Sequence, residues 1–336
     1  MQAGSCLFCL PNLADKEFNM YKLLIDCDTG IDDSLALLFA MKRPDVRVMG
    51  IIASYGNTYT RQAAENSLRL IRLAAPGYEI PVALGAEGPL LGVWAGPHPD
   101  IHGKNGIGNV ELPVSSQRVL EEDGIEFLVR TVRENPGEIT LVTLGRLTDI
   151  ALALDKEPDL PKLVKNMVIM GGTLFHSGNV APNSEANIAG DPEAADRVFT
   201  AGFNLMIVGL DVTAKTHLTE EKLQCLNRYC TEQNKPAADY LTRAMHQVYF
   251  PFNRKQGFCL DYCPVHDPLA VLAAIDPTVF IFRKLRIRVE TGGVFSRGRL
   301  VADLRETPFD APYSDIAVDV DGERAVETII AAFTGS

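Results

Sequence analysis

Tyr21-Lys22-Leu23-Leu24-Ile25-Asp26-Cys27-Asp28-Thr29-Gly30-Ile31-Asp32-Asp33 is the stretch on which the reading of this chain turns. Tyr21–Ile25 is a short apolar run that reads as a strand. Asp32–Lys42, with apolar Leu35, Ala36, Leu38 and Phe39, reads as a helix. Between them, four carboxylates fall within eight residues. Asp26 and Asp28 project to one side of an extended chain. Asp32 and Asp33 sit at the helix start, where free N–H groups and the helix dipole favour anions. One or two such acids serve as ordinary N-caps; four are too many. Packed together they repel, and a hard divalent cation relieves that repulsion with oxygen ligands. A strand-end Asp-x-Asp also opens phosphohydrolases with an aspartyl nucleophile, here Asp26. Those enzymes carry Thr or Val where Gly30 stands, and later a Ser/Thr, a Lys and a second acidic pair, a set that cannot be placed in this chain.

Outward from this stretch, β-branched runs alternate with helical patterns. Val46–Ser54, Pro81–Leu84, Ile139–Leu144, Val168–Met170 and Leu205–Gly209 read as strands. Thr60–Ala75, with Ala64, Leu68, Ile71 and Ala75 at helical spacing, reads as a helix, as do Ser115–Arg133 (interrupted near Gly124) and Pro192–Thr200. This rhythm predicts an α/β fold: a single domain with a mixed, mainly parallel central sheet flanked by helices. The last third is less regular, with helices at Glu220–Tyr229, Pro236–Tyr249, from Pro268 to Ala274 and at Ala325–Phe333, and strands at Leu285–Glu290 and Gly298–Ala302 that suit a hairpin. Two long loops, about residues 85–113 and 171–190, are candidates for function. In such sheets ligands bind at the carboxyl ends of the strands.

The chain has 336 residues, 46% of them hydrophobic, enough to bury a sizeable core. A formal net charge of −11 and the lack of a long basic run disfavour nucleic acid or an anionic membrane as partner. No segment is apolar for long enough to read as a transmembrane helix. Seven cysteines without regular spacing do not form a disulfide framework, so the expected compartment is reducing, and the expected location cytoplasmic. Cys6 and Cys9 have no matching second pair, since Cys259 and Cys263 stand one residue too wide; they read as part of an N-terminal extension (1–19) rather than a zinc site. The expected domain is therefore 20–336.

The octapeptide Asp26-Cys27-Asp28-Thr29-Gly30-Ile31-Asp32-Asp33 resembles the N-terminal signature of the inosine–uridine nucleoside hydrolase family. Further segments are similar to that family's motifs, in family order from about Lys22 onward. They are Gly56-Asn57, Leu144-Gly145-Arg146-Leu147-Thr148, Val168-Ile169-Met170-Gly171-Gly172, Gly178-Asn179, Glu185-Ala186-Asn187, Val208-Gly209-Leu210-Asp211-Val212-Thr213 and Val265-His266-Asp267-Pro268.

The resemblance implies a nucleoside hydrolase fold and hydrolysis of the N-glycosidic bond of ribonucleosides. It implies Ca2+ held by Asp28, Asp33, Asp267 and the Leu144 carbonyl, a ligand set that suits a hard cation. It implies Asp28 as general base toward a calcium-bound water, with inversion at the anomeric carbon, and His266 as acid near the leaving base. It assigns Asp32, Asn57, Asn187 and Asp267 to the 2′ and 3′ hydroxyls, Asn179 and Glu185 to the 5′ hydroxyl, and Met170 to the substrate pocket. His102, on a glycine-rich mobile loop, together with Tyr249 and Arg254, is expected on the base side. The family also implies a homodimer or homotetramer. Four departures stand out: Thr29 where Pro is frequent, Arg146 for the Pro of the turn, Asp149 for a frequent Asn, and Ala186 where an aromatic is common. The first three read as structural, and the last bears on substrate preference. A nucleoside-binding protein without turnover is the rival from another class; it would require a broken base or cation set, and this set is complete.

Overall fold

In the computed structural model, which describes residues 20–233, 236–256 and 262–334, the apolar run after Met20 forms β1 (Tyr21–Cys27). Its alternation decides the layering. Leu23, Ile25 and Cys27 enter one hydrophobic core and Leu24 the other, so the strand is buried on both faces. The same split recurs along β2 (Val46–Ala53), β3 (Val82–Leu84), β4 (Ile139–Thr143), β5 (Asn166–Met170) and β6 (Leu205–Val208). Two short strands, β7 (His217–Thr219) and β8 (Tyr262–Pro264), pair antiparallel apart from the main sheet. β9 (Phe280–Val289), β10 (Leu300–Ala302) and β11 (Tyr313–Val320) complete the nine-stranded sheet, ordered β10-β9-β11-β6-β5-β4-β1-β2-β3. The strands from β11 to β3 are parallel neighbours, and β9 runs against both β10 and β11. The predicted α/β fold with a mainly parallel sheet is therefore observed.

Helices Ile31–Lys42, Thr60–Ala74 and Asp267–Ile275 cover one face, and Gly124–Glu134, Thr148–Lys156 and Pro192–Thr200 cover the other. The chain order matters for the site. β1, β2 and β3 build outward in one direction, then the chain returns to lay β4 on the opposite edge of β1. The crevice between the carboxyl ends of β1 and β4 is a topological switch point.

Several elements differ from the sequence-based expectation. Residues 115–123 are irregular, and the helix begins at Gly124 because the Asp123 carboxylate caps it, accepting from the N–H groups of Ile125 and Glu126. Pro236–Tyr249 is helical, but its last five residues, Met245–Tyr249, form a π-helical turn. The helix Thr148–Lys156 and the strand β11 are additional to the elements that the sequence pattern indicates. In β11, Asp315 and Asp319 interrupt the apolar pattern. The expectations for residues 1–19, including Cys6 and Cys9, and for Cys259 lie outside the described residues. No helix among the described residues is long and apolar enough to cross a membrane.

Candidate active site

β1 delivers Asp26 at its end and Asp28 just beyond it, in the switch-point crevice. Asp28 is 1% exposed. Its Oδ2 accepts the Asn57 backbone N–H at 2.7 Å and Arg146 Nη1 at 3.2 Å, and its Oδ1 accepts Asn57 Nδ2 at 3.1 Å. Asn57 is available there because β2 ends at Ala53 and the chain turns through Gly56. Asn57 Nδ2 also donates to Asp33 Oδ2 at 2.9 Å, so one amide bridges two carboxylates. Asp33 closes the first helical turn by accepting the Gly30 N–H at 2.9 Å. Asp32 Oδ2 accepts the N–H groups of His266 and Asp267, each at 3.0 Å, which pins the start of the helix Asp267–Ile275 to the start of Ile31–Lys42.

The electrostatics follow from burial. Desolvation raises the Asp28 carboxyl to about 8, with Asp33 adding to the rise and Arg146 opposing it. Desolvation lifts Asp32 to about 7. Asp33 and Asp267 are raised for the same reason, Asp267 further by the charges of Asp33, Asp32 and Asp28. Asp32 Oδ1 and Asp33 Oδ1 are buried and accept no hydrogen bond. Among the described residues no three acidic, cysteine or imidazole side chains form a finished metal cage. The donor chemistry nevertheless fits a hard cation: crowded carboxylates with orphaned oxygens are what such an ion compensates. The Leu144 carbonyl accepts Asn187 Nδ2 at 2.7 Å and keeps a second lone pair.

The acids set a pH signature. A carboxyl raised in the fold keeps a proton that the unfolded chain has lost, so its stabilisation is complete below the ordinary carboxylate range and is lost as pH rises through the folded value. Above about pH 7.5 histidines are almost wholly deprotonated in both states. In chelator, the melting temperature is therefore expected to fall as pH rises from about 7.5 through the Asp28 value of about 8. A flat profile in that window, measured by circular dichroism, would contradict the buried-acid geometry.

On the sugar-loop side, Glu185 is 2% exposed and caps its own helix. Its Oε2 accepts Gly172 N–H at 2.8 Å and Ile188 N–H at 3.2 Å, and its Oε1 accepts Asn187 N–H at 2.8 Å. Asn187 Nδ2 further contacts the Met170 carbonyl at 3.1 Å and its Sδ at 3.3 Å. Asn179 is exposed, and its Oδ1 accepts the Ala186 N–H at 3.0 Å. Asp28, Asp32, Asp33, Asn57 and Asp267 are thus joined by hydrogen bonds or direct charge contact, and Leu144, Met170, Glu185 and Asn187 by a second network.

His102, expected on a glycine-rich mobile loop, is 6% exposed, and its Nδ1 accepts the Ile31 N–H at 3.1 Å, docking residues 99–102 on a helix start. Burial lowers it to about 3, so the ring is neutral. Tyr249 is 5% exposed, its ring 6.4 Å from that of His102. Arg254 pairs with Glu220 at 2.8 Å and lies against Phe250; its described contacts do not reach the acidic cluster. His266 Nδ1 lies 2.8 Å from Thr213 Oγ1, and burial lowers the ring to about 4. A neutral imidazole is a hydrogen-bond donor through one nitrogen, not an imidazolium acid. His98, read from sequence as a surface or packing residue, is exposed, and partial desolvation and then the Arg146 charge lower its pKa.

Gly30 is required for this packing. A Cβ there would lie 2.4 Å from His102 Nδ1 and 2.8 Å from Asn57 Nδ2. Gly30→Ala is expected to cost about 2 kcal/mol in urea unfolding through overpacking, with activity falling further than stability because both neighbours move. Unchanged stability and activity would place those side chains elsewhere.

Asp26 is 0% exposed and faces Asp149 and Ser54, with Ser54 Oγ 3.4 Å from its Oδ1. Asp149 is its foremost charge partner, ahead of Asp28. Sequence reasoning missed the Arg146–Asp28 contact, the Asp26–Asp149 pair and the Thr213 partner of His266. The only signal was that Arg146 and Asp149 depart from the pattern of their turn.

Fold and site define an α/β protein with a cluster of buried carboxylates at a topological switch point. The chain belongs to the inosine-uridine preferring nucleoside hydrolase family, whose sequence profile matches residues 23–327. It is 39% identical over 274 residues to uridine nucleosidase 1 of Arabidopsis thaliana, covering 81% of this chain and 79% of that one. It is 33% identical over 312 residues to the inosine-uridine preferring nucleoside hydrolase of Leishmania major, covering 90% and 94%. Among solved structures, a plant nucleoside hydrolase superposes with a TM-score of 0.87 at 33% identity, covering 94% of this chain and 99% of that one. A purine-preferring ribonucleoside hydrolase from Gardnerella vaginalis does so with the same score and identity, covering 94% and 98%. The protein is a hydrolase of ribonucleoside N-glycosyl bonds.

Proposed function

We propose that this enzyme cleaves inosine-, uridine- and cytidine-type ribonucleosides with Ca2+ as cofactor and Asp28 as general base. The observation that carries this reading is the junction of Asp28, Asp33, Asn57 and Asp267 at the switch point, with buried carboxylate oxygens left without donors. Asp28, Asp33, Asp267 and the Leu144 carbonyl would hold the ion. When bound, calcium supplies the missing positive charge and acidifies a coordinated water.

Asp28 accepts the proton of the attacking water, and its fixed orientation through Asn57 and Arg146 aims it. Asp32, Asn57, Asn187 and Asp267 take the 2′ and 3′ hydroxyls, and Asn179 and Glu185 the 5′ hydroxyl. These groups also favour positive charge on the sugar as the bond to the base breaks. Attack from the face opposite the base gives inversion. With the Thr213 hydroxyl donating to Nδ1, the neutral His266 ring would carry its proton on Nε2 and present it toward the leaving base. His102 and Tyr249 line the base side. A site built to pair a 2′ hydroxyl rejects 2-deoxynucleosides strongly. The free cysteines Cys27, Cys225 and Cys263 suit a cytoplasmic placement, and exposed Val294 and Phe295 offer apolar surface for a homodimer or homotetramer. The experiment is base release from each nucleoside by chelator-stripped and calcium-restored enzyme. Absence of release from every nucleoside in both states would sink the reading.

A further inference from the structure

Among the described residues, Arg146 is the one Lys or Arg side chain that is buried, at 6% exposure. It stands in the turn after β4, beside the acidic cluster. Its Nη1 donates to Asp28 Oδ2 at 3.2 Å and to the Tyr55 carbonyl at 3.3 Å. The guanidinium carbon lies 5.1 Å from the centre of the Tyr55 ring. Two glycines make the slot it fills. A Cβ at Gly56 would lie 1.9 Å from Nη1, and one at Gly190 would lie 2.3 Å from Nε. A side chain at either place would expel the guanidinium, so the backbone on both sides is shaped around it.

The charge balance around this slot is uneven. Asp26, Asp28, Asp32, Asp33, Asp149 and Asp267 are all buried, and Arg146 is the cation that answers them. Its nearest acid is the one that the mechanism needs most tightly held. Both oxygens of Asp28 are occupied, by Asn57 N, Asn57 Nδ2 and Arg146 Nη1. A guanidinium on a buried carboxylate gives a strong, directional hydrogen bond, and removing either partner strands the other.

We propose that Arg146 is a positioning residue, a built-in counter-cation that fixes the Asp28 carboxylate and holds the acidic cluster together before a divalent cation binds. The proposal rests on the reading of Asp28 as base and cation ligand. Two cations competing for one carboxylate weaken one another, and that coupling is reciprocal. Arg146 therefore supports the metal-free fold more than the calcium-bound one, at some expense of calcium affinity.

The test uses full-length Arg146→Met, Arg146→Lys, Asp28→Asn and the double variant Arg146→Met/Asp28→Asn, melted at alkaline pH, where the Asp28 carboxyl is charged, in chelator and in saturating calcium. Met fills much of the slot without charge. In Arg146→Met the melting temperature should fall at least about twice as far in chelator as in calcium, and calcium should bind roughly three- to tenfold more tightly by calorimetry. The loss in chelator should shrink by about half or more when Asp28 is already Asn, because the pair interacts directly. Arg146→Lys should recover part of it, keeping the charge and losing the planar guanidinium. Turnover in Arg146→Met should fall through kcat with KM little changed, as loss of aim at the base requires.

Equal losses with and without calcium, and with and without the Asp28 carboxylate, would reduce Arg146 to a packing residue and overturn the proposal. If Arg146→Met does not fold alone, the double variant and Arg146→Lys decide: folding restored in both supports it, and failure in both overturns it. If the wild-type enzyme binds no calcium, the cation reading fails, while the cycle in chelator still settles the Arg146–Asp28 pair.

Discussion

Asp28→Asn is expected to lower base release at least about a thousandfold, roughly 4 kcal/mol in the barrier, while the protein stays folded by circular dichroism. The size follows from what Asp28 alone supplies. It is the buried carboxylate joined directly to Asn57, Arg146 and Asp33, so no other acid can be moved into its place without breaking that network. An amide in its place retains shape and one acceptor but takes no proton from water. The loss should appear chiefly in kcat, since the proton acceptor is removed; KM should rise less, through Asn57, which is proposed to hold the sugar and hydrogen-bonds Asp28. The same variant should flatten the upper part of the stability profile in chelator, where Asp28 titrates at about 8. A residual activity within about tenfold of wild type would assign the base to another group.

Asp267→Asn is expected to weaken calcium binding about a hundredfold or more, roughly 3 kcal/mol, and to lower kcat/KM with it. Asp267 is 5% exposed and feels the charges of Asp33, Asp32 and Asp28. In the unliganded fold that crowding is a cost, and on the proposed reading the ion turns it into a ligand set. Its backbone N–H on Asp32 Oδ2 is untouched by the substitution, so the helix start stays in place and the effect is confined to the side chain. Calorimetry on stripped protein measures it; an unchanged calcium affinity would remove Asp267 from the set.

What could be read from the sequence was local. β1 and the helix after it are legible because apolar periodicity changes from two to nearly four residues across the acidic loop. The position of Asp28 at a strand end then follows from the chain alone. Asp32, Asp33, Asn57, Glu185, Asn187 and Asp267 each stand just beyond a strand or at a helix start, where composition shows them. β11 was illegible because its pairing is with β6 and β9, far away in sequence, and its acids mask the alternation. The docking of His102 on the Ile31 N–H was equally hidden: seventy-one residues separate the two, and a glycine-rich loop reads as mobile until its partner is known. From sequence alone, Arg146 reads as a structural departure in a turn. Its meaning lies in the space left by Gly56 and Gly190, a three-dimensional property that no spacing encodes.

The most direct test follows uracil, hypoxanthine and cytosine released from their ribonucleosides by enzyme stripped with chelator and then restored with calcium. Release that vanishes on stripping and returns with calcium, and that Asp28→Asn does not recover, is the expected result. Release unaffected by a complete strip would contradict a calcium-dependent hydrolase centred on Asp28.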